Sequence, residues 1–301
     1  MNGKIFNSVN PGEKDLVRKL ASAPLPMGKG RSLVDVSREV GSKLGINPNM
    51  LASSSLVEGV NQLFTNEGSV RSAAYEDAAE RGEVDRSKYP VDAFYYAGID
   101  NFGPVAETLK QKGYLPKDVD YKLYSAWNEA TERNIAKFDN KGNIVEYYMP
   151  KQVVDAAYFG EGPQRQQAQA QINNLLKAKG VSPVQTVAFS NTEDMVKAKG
   201  AYLRYLQDKT KEYATKAGVK PTDKEIDYLV MSAYNGGEGT MRKIVDKIKL
   251  GEKEITKKGG PNVQAHKNVS KRLEYIEYLS DLFNSNQSPK YKGIIQKKTK
   301  L

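Results

Sequence analysis

One carboxylate, Glu58, stands where a helix could present it to a ligand. The apolar spacing predicts a helix over 49–64, and on a helical wheel the apolar residues share one arc opposite Glu58: Leu56, Val57, Val60, Leu63 and Phe64. The neighbours of Glu58 one turn away are polar and mostly small: Ser54, Ser55, Asn61 and Gln62. A carboxylate on such a face suits general acid and base chemistry, and the alternative is a solvated surface glutamate.

A second stretch, 232–239, joins polar side chains to a glycine-rich turn. Tyr234 and Asn235 end an amphipathic helix, and Gly236 and Gly237 follow them. Because glycine adopts positive φ at low cost, this turn can bring a tyrosine hydroxyl and an asparagine amide to the wall of a cleft. The alternative is a glycine helix cap beside a half-buried tyrosine.

The composition restricts the chemistry further. The chain has 301 residues, no cysteine and one histidine, His266. Disulfides, thiolate zinc sites and cysteine nucleophiles are therefore excluded, as is a site with several histidine ligands. The ionisable groups that remain are carboxylates, lysines and tyrosines. If the protein is an enzyme, we therefore expect it to work through a carboxylate, without a metal or cofactor.

The charge of the chain points to an anionic partner. Lys and Arg number 46 against 36 Asp and Glu, which gives a net charge of +10. Nucleic acid is the weaker candidate, because no RRM signature, zinc finger or basic zipper region is present; the alternative is a solubilising surface. The sequence has no signal-peptide pattern and no window apolar enough to span a membrane, so we expect synthesis in the cytoplasm.

The periodicity predicts a mainly α protein. Beyond 49–64, predicted helices cover 32–45, 70–81, 164–178, 193–217, 223–235, 240–249 and 262–284. The stretch 82–160 holds half of the chain's 18 tyrosines and predicts a mixed segment, with a hairpin at about 136–149. Residues 1–30 are rich in Gly, Pro and Lys and predict an extended N-terminal arm with at most one helical turn.

Four elements together resemble the catalytic domain of soluble lytic transglycosylases, of the lysozyme-like superfamily. Residues 45–58 resemble the family's Gly-x-x-Pro turn and the helix that carries its catalytic Glu, here Glu58. Residues 198–206 resemble its Ala-x-x-Tyr-Leu helix, which contains Tyr202. Residues 232–239 resemble its Ala-Tyr-Asn-Ala-Gly-x-Gly signature, and 264–276 its closing helix.

The resemblance implies a lysozyme-like domain over 31–285 with a Tyr-rich insertion at about 82–190. The composition adds the N-terminal arm at 1–30 and a basic C-terminal tail at 286–301. The resemblance also implies a peptidoglycan-cleaving activity on the bond between N-acetylmuramic acid and N-acetylglucosamine. Glu58 would protonate the glycosidic oxygen and then deprotonate the muramoyl 6-hydroxyl, which closes an anhydro ring. Substrate-binding residues would be Tyr234, Asn235, Gly236, Tyr202 and Gln62, with Tyr234 bonding the Glu58 carboxylate and Asn235 holding either the turn or the sugar N-acetyl group.

The chain also departs from the family pattern. Gly59 replaces the usual serine after the catalytic Glu, and no Gly-Leu-Met-Gln segment follows. The insertion could supply a substitute wall through Asp92, Tyr95, Tyr96 or Asp100. A hydrolytic mechanism would need a second carboxylate, for which the candidates are Asp77, Asp85, Asp92 and Asp100.

Two protein classes therefore stay open. The first is a lytic transglycosylase or muramidase of a bacteriophage, carried in the virion or used for lysis, which acts at the bacterial cell wall. The second is a non-catalytic virion or tail protein that keeps the lysozyme-like fold. The expected partners are peptidoglycan glycan strands and other virion or tail proteins.

Overall fold

The computed structural model describes residues 11–63, 73–92, 102–126, 134–140, 143–181, 184–249, 275–276 and 278–279. Most of these residues are helical, so the mainly α class is confirmed. None of the helices there is long and apolar enough to cross a lipid bilayer. The basic tail and most of the predicted helix 262–284 lie outside the described residues.

Helices α2 (Leu33–Leu44) and α3 (Pro48–Leu63) form where the apolar spacing predicts them. Ser32 caps α2: its hydroxyl accepts from the Asp35 backbone, and the Asp35 side chain closes a capping box. Gly45 ends α2 in the left-handed region at φ 65°. The two helices therefore meet at a short turn fixed by local chemistry.

Residues 11–22 of the N-terminal arm are helical rather than extended, which corrects the sequence prediction for this part of the arm. Residues Pro11–Ser22 form helix α1, and Val17 and Ala21 are buried in the same core as α2 and α3. The side chains of Val17, Leu20 and Ala21 recur at helical spacing, and Pro11 suits the first helical position. The flanking prolines and glycines concealed this short apolar stripe, which belongs to the core.

Helix α8 (Thr192–Ala217) packs against helix α9 (Asp223–Lys249) and against α2 and α3. Asn191 caps α8 through the Asp194 backbone, and Gly218 ends it at φ 73°. Helix α9 contains one non-helical residue, Gly237, which divides it into the two predicted helices 223–235 and 240–249. These elements confirm the strong helical pattern of the C-terminal half.

The segment 82–190 is not one uniform insertion. Helix α5 (Phe102–Gln111) and a three-stranded antiparallel sheet contribute side chains to the main core. The sheet has the order β1-β5-β2, with strands β1 (Val91–Asp92), β2 (Tyr121–Ala126) and β5 (Val184–Phe189). Val91 and Tyr121 both pair with Phe189, so a central strand joins residues that are far apart in the sequence.

Residues 134–181 instead form a small unit with a core of its own. It consists of strands β3 (Ala136–Phe138) and β4 (Ile144–Tyr147) and helices α6 (Lys151–Phe159) and α7 (Gly162–Ala178). The predicted hairpin is confirmed by the pairing of β3 with β4. Ile135, Ile172 and Leu176 lie at the centre of this separate cluster. The unit meets helix α4 (Ala73–Glu80) through polar contacts, among them a bond from Gln169 to Asp77.

Candidate functional site

The helix that carries Glu58 is buried nearly all round along its first two turns. Every residue from Met50 to Leu56 is at most 1 % exposed, and Ser54 and Ser55 are fully buried. The prediction that Ser54 and Ser55 lie on an open polar face beside Glu58 is therefore wrong. Their hydroxyls donate to the carbonyl of Leu51, which satisfies them inside the core. Glu58 and Gln62 lie on the helical backbone beyond them, and their side chains are outside the described part.

Lys199 of α8 lies fully buried against α3. Its Nζ donates to the backbone carbonyl of Ser54 at 3.1 Å. The same Nζ lies 5.3 Å from the ring centroid of Tyr234 on α9. Burial lowers the pKa of Lys199 to about 7, because the charged form is desolvated. One amino group therefore touches both the helix of Glu58 and the tyrosine of the Tyr-Asn motif.

Tyr234 belongs to a row of aromatic rings on α8 and α9. Its centroid is 5.8 Å from that of Tyr202, and the ring of Tyr202 stacks on that of Tyr205 at 6.4 Å. Burial raises the pKa of Tyr234 well above its usual range and that of Tyr202 to about 12. Both phenols therefore stay protonated at physiological pH and can act as hydrogen-bond donors.

Asn235 and the glycines after it fix the turn at the end of the motif. The Asn235 amide donates to the carbonyl of Met231 at 2.8 Å, which favours the turn-holding role over a sugar contact for this donor. Gly236 is exposed, and a Cβ there would lie 2.6 Å from the Thr240 hydroxyl. Gly237 has φ 75° and ψ 169°, a conformation available almost only to glycine.

Substituting Gly237 by alanine is expected to lower the free energy of unfolding by about 1–3 kcal/mol, because the side chain would be forced into that conformation. Gly239 is the matched control, since it is helical and a Cβ there meets nothing within 4 Å. Gly239→Ala is expected to raise stability by about 0.5–1 kcal/mol through helix propensity. Thermal and urea unfolding of both variants measures the difference; equal effects at the two positions would contradict the assigned strain.

Two aromatic side chains of the segment 82–190 pack against the aromatic row, and the sequence reasoning did not single them out for this role. Phe102 of α5 meets Tyr202 edge-on at 6.4 Å, and Tyr114 meets Tyr205 at 5.8 Å. The sequence feature that could have indicated Phe102 is its spacing from Ala106 and Leu109, which is typical of one helix face. The expected wall residues Tyr95, Tyr96 and Asp100 lie outside the described residues. Asp92 is fully buried and accepts a hydrogen bond from Tyr124.

The expected second carboxylates have structural partners elsewhere. Asp77 forms an ion pair with Arg165 at 2.9 Å, and burial raises its pKa. Asp85 is exposed and accepts from the Ser87 hydroxyl, which lowers the Asp85 pKa. The carboxylate that does join the aromatic row is Glu238, which accepts from the Tyr205 hydroxyl at 3.0 Å. The sequence feature that could have indicated Glu238 is its position between two glycines of the Tyr-Asn motif.

These contacts define a mainly α-helical protein whose buried helix α3 is joined to a row of tyrosines by one lysine. In the part of the chain that the structure describes, no three carboxylate or histidine side chains gather into a group that could hold a metal ion. Comparisons with protein-family models, with curated proteins and with solved structures found no match to this chain. Function is therefore inferred from the sequence motifs and from these contacts.

Proposed function

We propose that this protein is a peptidoglycan-cleaving lytic transglycosylase in which Glu58 is the single general acid and base. The fold we propose for it is lysozyme-like, with Tyr234, Asn235, Gly236, Tyr202 and Gln62 at the substrate side of the site. Glu58 protonates the glycosidic oxygen and then takes the proton of the muramoyl 6-hydroxyl. The glycosidic bond breaks and the anhydro ring closes without a water nucleophile, so no second carboxylate is required.

The observation that carries the proposal is the bridge formed by Lys199. Glu58 and Tyr234 are far apart in the sequence, and they were singled out because each resembles a motif of the same family. Lys199 bonds the carbonyl of Ser54, one helical turn before Glu58, and lies over the ring of Tyr234. Two motifs of one expected active site are thus held at the same place in the core.

A general acid needs a carboxyl group whose pKa is raised towards neutral pH, as apolar surroundings do. The proposal therefore requires such surroundings for Glu58. Leu56, two residues before Glu58, is fully buried. Burial raises the pKa of Tyr234, so this residue stays a neutral phenol and is the proposed hydrogen-bond donor to the Glu58 carboxylate.

The charge of the chain fits the proposed substrate and place of action. A net charge of +10 attracts the protein to anionic polymers of the bacterial envelope. We place the protein in a bacteriophage virion or lysis system, where it is made in the bacterial cytoplasm and acts on glycan strands of the cell wall.

Digestion of purified sacculi, with mass spectrometry of the released fragments, tests the proposal. We expect wild type to release fragments that end in anhydromuramoyl residues, lighter by one water than the hydrolytic products. The variant Glu58→Gln is the control and is expected to release none. Release of hydrated ends only would replace the transglycosylase by a hydrolase, and equal release by both proteins would remove Glu58 from the mechanism.

A second candidate is a non-catalytic virion or tail protein with the same fold. The observation that favours it is the 134–181 unit, which has its own core and exposes three large apolar side chains: Val145, Tyr148 and Phe159. In this candidate they form a contact surface for another virion protein, as a contiguous exposed apolar patch does. Stable association with other virion proteins, together with no muropeptide release at high protein concentration, would favour this candidate over the enzyme.

A further inference from the structure

Lys199 is the only lysine among the described residues that is fully buried, and no carboxylate pairs with it there. Burial of an unpaired ammonium group is costly, and a core position normally holds an apolar side chain instead. The adjacent Gly200 lets α8 approach closely, because a Cβ at that position would overlap Val40 of α2. The packing therefore places Lys199 where its charged form lowers the stability of the fold. Its contacts with α3 and α9 indicate what it does there.

The first contact is with the backbone of α3. The carbonyl of Ser54 accepts the Lys199 hydrogen bond, and in an α-helix this carbonyl also accepts from the backbone N–H four residues later, which is that of Glu58. Gly59 follows directly, and glycine weakens a helix by about 1 kcal/mol relative to alanine. The helical turn that carries Glu58 therefore has a low intrinsic stability. The hydrogen bond from Lys199 stabilises this turn at its first carbonyl, that of Ser54.

The second contact is with Tyr234. A cation within about 6 Å of a tyrosine ring is attracted to its face, more strongly where water is excluded. The Lys199 Nζ lies 5.3 Å from the Tyr234 centroid, and Tyr234 is itself buried. Within the part of the chain that the structure describes, the ammonium therefore contacts a carbonyl of α3 and a phenol ring of α9, both from motifs of the proposed site.

We propose that Lys199 is a positioning residue: it fixes the turn of α3 that carries Glu58 against the Tyr234 ring of α9. This inference rests on the proposed glycan-cleaving function, since Lys199 acts through Glu58 and Tyr234. Acid catalysis needs the reacting groups to be placed to within about 1 Å. Lys199 would provide this precision without contacting the substrate. A residue of this kind affects turnover more than substrate binding.

The test compares wild type with Lys199→Met, which keeps the length and removes the charge. The matched control is Lys211→Met, because Lys211 is an exposed lysine of the same helix. For Lys199→Met we expect kcat on soluble glycan strands to fall about 10–100-fold with KM within about twofold. We expect amide hydrogen exchange over 55–63 to rise about tenfold, without a lower melting temperature. Lys211→Met should match wild type in all three measurements.

The outcomes separate the two proposals. Unchanged exchange over 55–63 in Lys199→Met overturns the positioning role, whatever the activity. A lower melting temperature, with faster exchange throughout α8 and α9, also overturns it, because Lys199 would then be a general structural residue. If wild type releases no glycan fragments, the proposed function fails while the exchange comparison still decides whether Lys199 holds the turn. Lys199→Gln is measured in parallel as a second variant and is expected to lie between wild type and Lys199→Met.

Discussion

Replacing Glu58 by Gln is expected to lower the rate of glycan cleavage by about 10²–10⁴-fold, the usual contribution of a general acid or base. The effect is large because one carboxylate performs both proton transfers in the proposed mechanism. The amide is similar in size and hydrogen-bonding capacity, but it neither donates an acidic proton nor accepts one. Substrate affinity should change little, so the loss should lie in kcat.

Two further variants show whether the loss belongs to Glu58 itself. Glu58→Asp keeps the carboxyl group but withdraws it by one methylene, so we expect a rate between those of wild type and Glu58→Gln. Glu225→Gln changes a carboxylate at the start of α9 that is bonded to Thr222, and it should leave the rate unchanged. Release of labelled fragments from sacculi, measured under single-turnover conditions, gives the rates. A Glu58→Gln rate within a few fold of wild type would rule out the mechanism.

The second large effect concerns stability. Lys199→Met is expected to raise the free energy of unfolding at pH 6–7 by about 1–4 kcal/mol, because an apolar side chain replaces a buried charge. The protein would become more stable and, if the positioning role holds, less active. Such an exchange of activity for stability is common where a functional site holds a costly group.

The pH dependence of this effect follows from the pKa of Lys199. Burial lowers it to about 7 in the folded protein, from a usual value of 10.5. Between these values the unfolded chain binds more protons, so the free energy of unfolding of wild type rises with pH by up to about 1.4 kcal/mol per unit. Below pH 7 both states are protonated, and the full penalty is present.

Urea unfolding of wild type and Lys199→Met at several pH values measures this directly. Relative to the variant, wild type should gain about 2 kcal/mol between pH 7 and pH 9. The comparison stays below pH 10 because buried tyrosines, with raised pKa values, add their own destabilisation at higher pH. A constant difference between the two proteins across pH 6–9 would show that Lys199 is not buried as a titrating group.

Local chemistry made much of the fold predictable from the sequence. Ser32 and Gly45 delimit α2, and Gly218 ends α8, because capping and positive φ depend on a few neighbouring residues. The pattern around Gly237 likewise predicts a break that the backbone shows. The hairpin of the 134–181 unit was predictable for the same reason, since its turn residues are adjacent in the sequence.

Burial was harder to predict, because it depends on distant parts of the chain. A helical wheel treats Ser54 as polar and Lys199 as solvated, but both are fully buried. Serine avoids most of the cost of burial by bonding its own helix. Lysine reaches a carbonyl of another helix, but its lowered pKa shows that the charged form still pays for desolvation. The sheet order β1-β5-β2 was likewise beyond local reasoning, since its central strand comes last in the chain.

Of the proposed site, the sequence supplied the motifs but not the connection between them. Tyr202 and Tyr234 were expected at the site, and their rings are neighbours. Lys199, Glu238 and Phe102 were not expected, because each becomes relevant only when α3, α5, α8 and α9 come together. The side chains of Glu58 and Gln62 lie outside the described part, so their roles remain predictions.

The pairing of β2 with β5 has a consequence for how this protein can change. Ala126, the last residue of β2, pairs with Val184, the first residue of β5. The chain thus departs for the 134–181 unit and returns from it at adjacent points, as at the base of a hairpin. Such a unit can be lengthened, shortened or exchanged while the path of the chain through the helices around α3 stays the same.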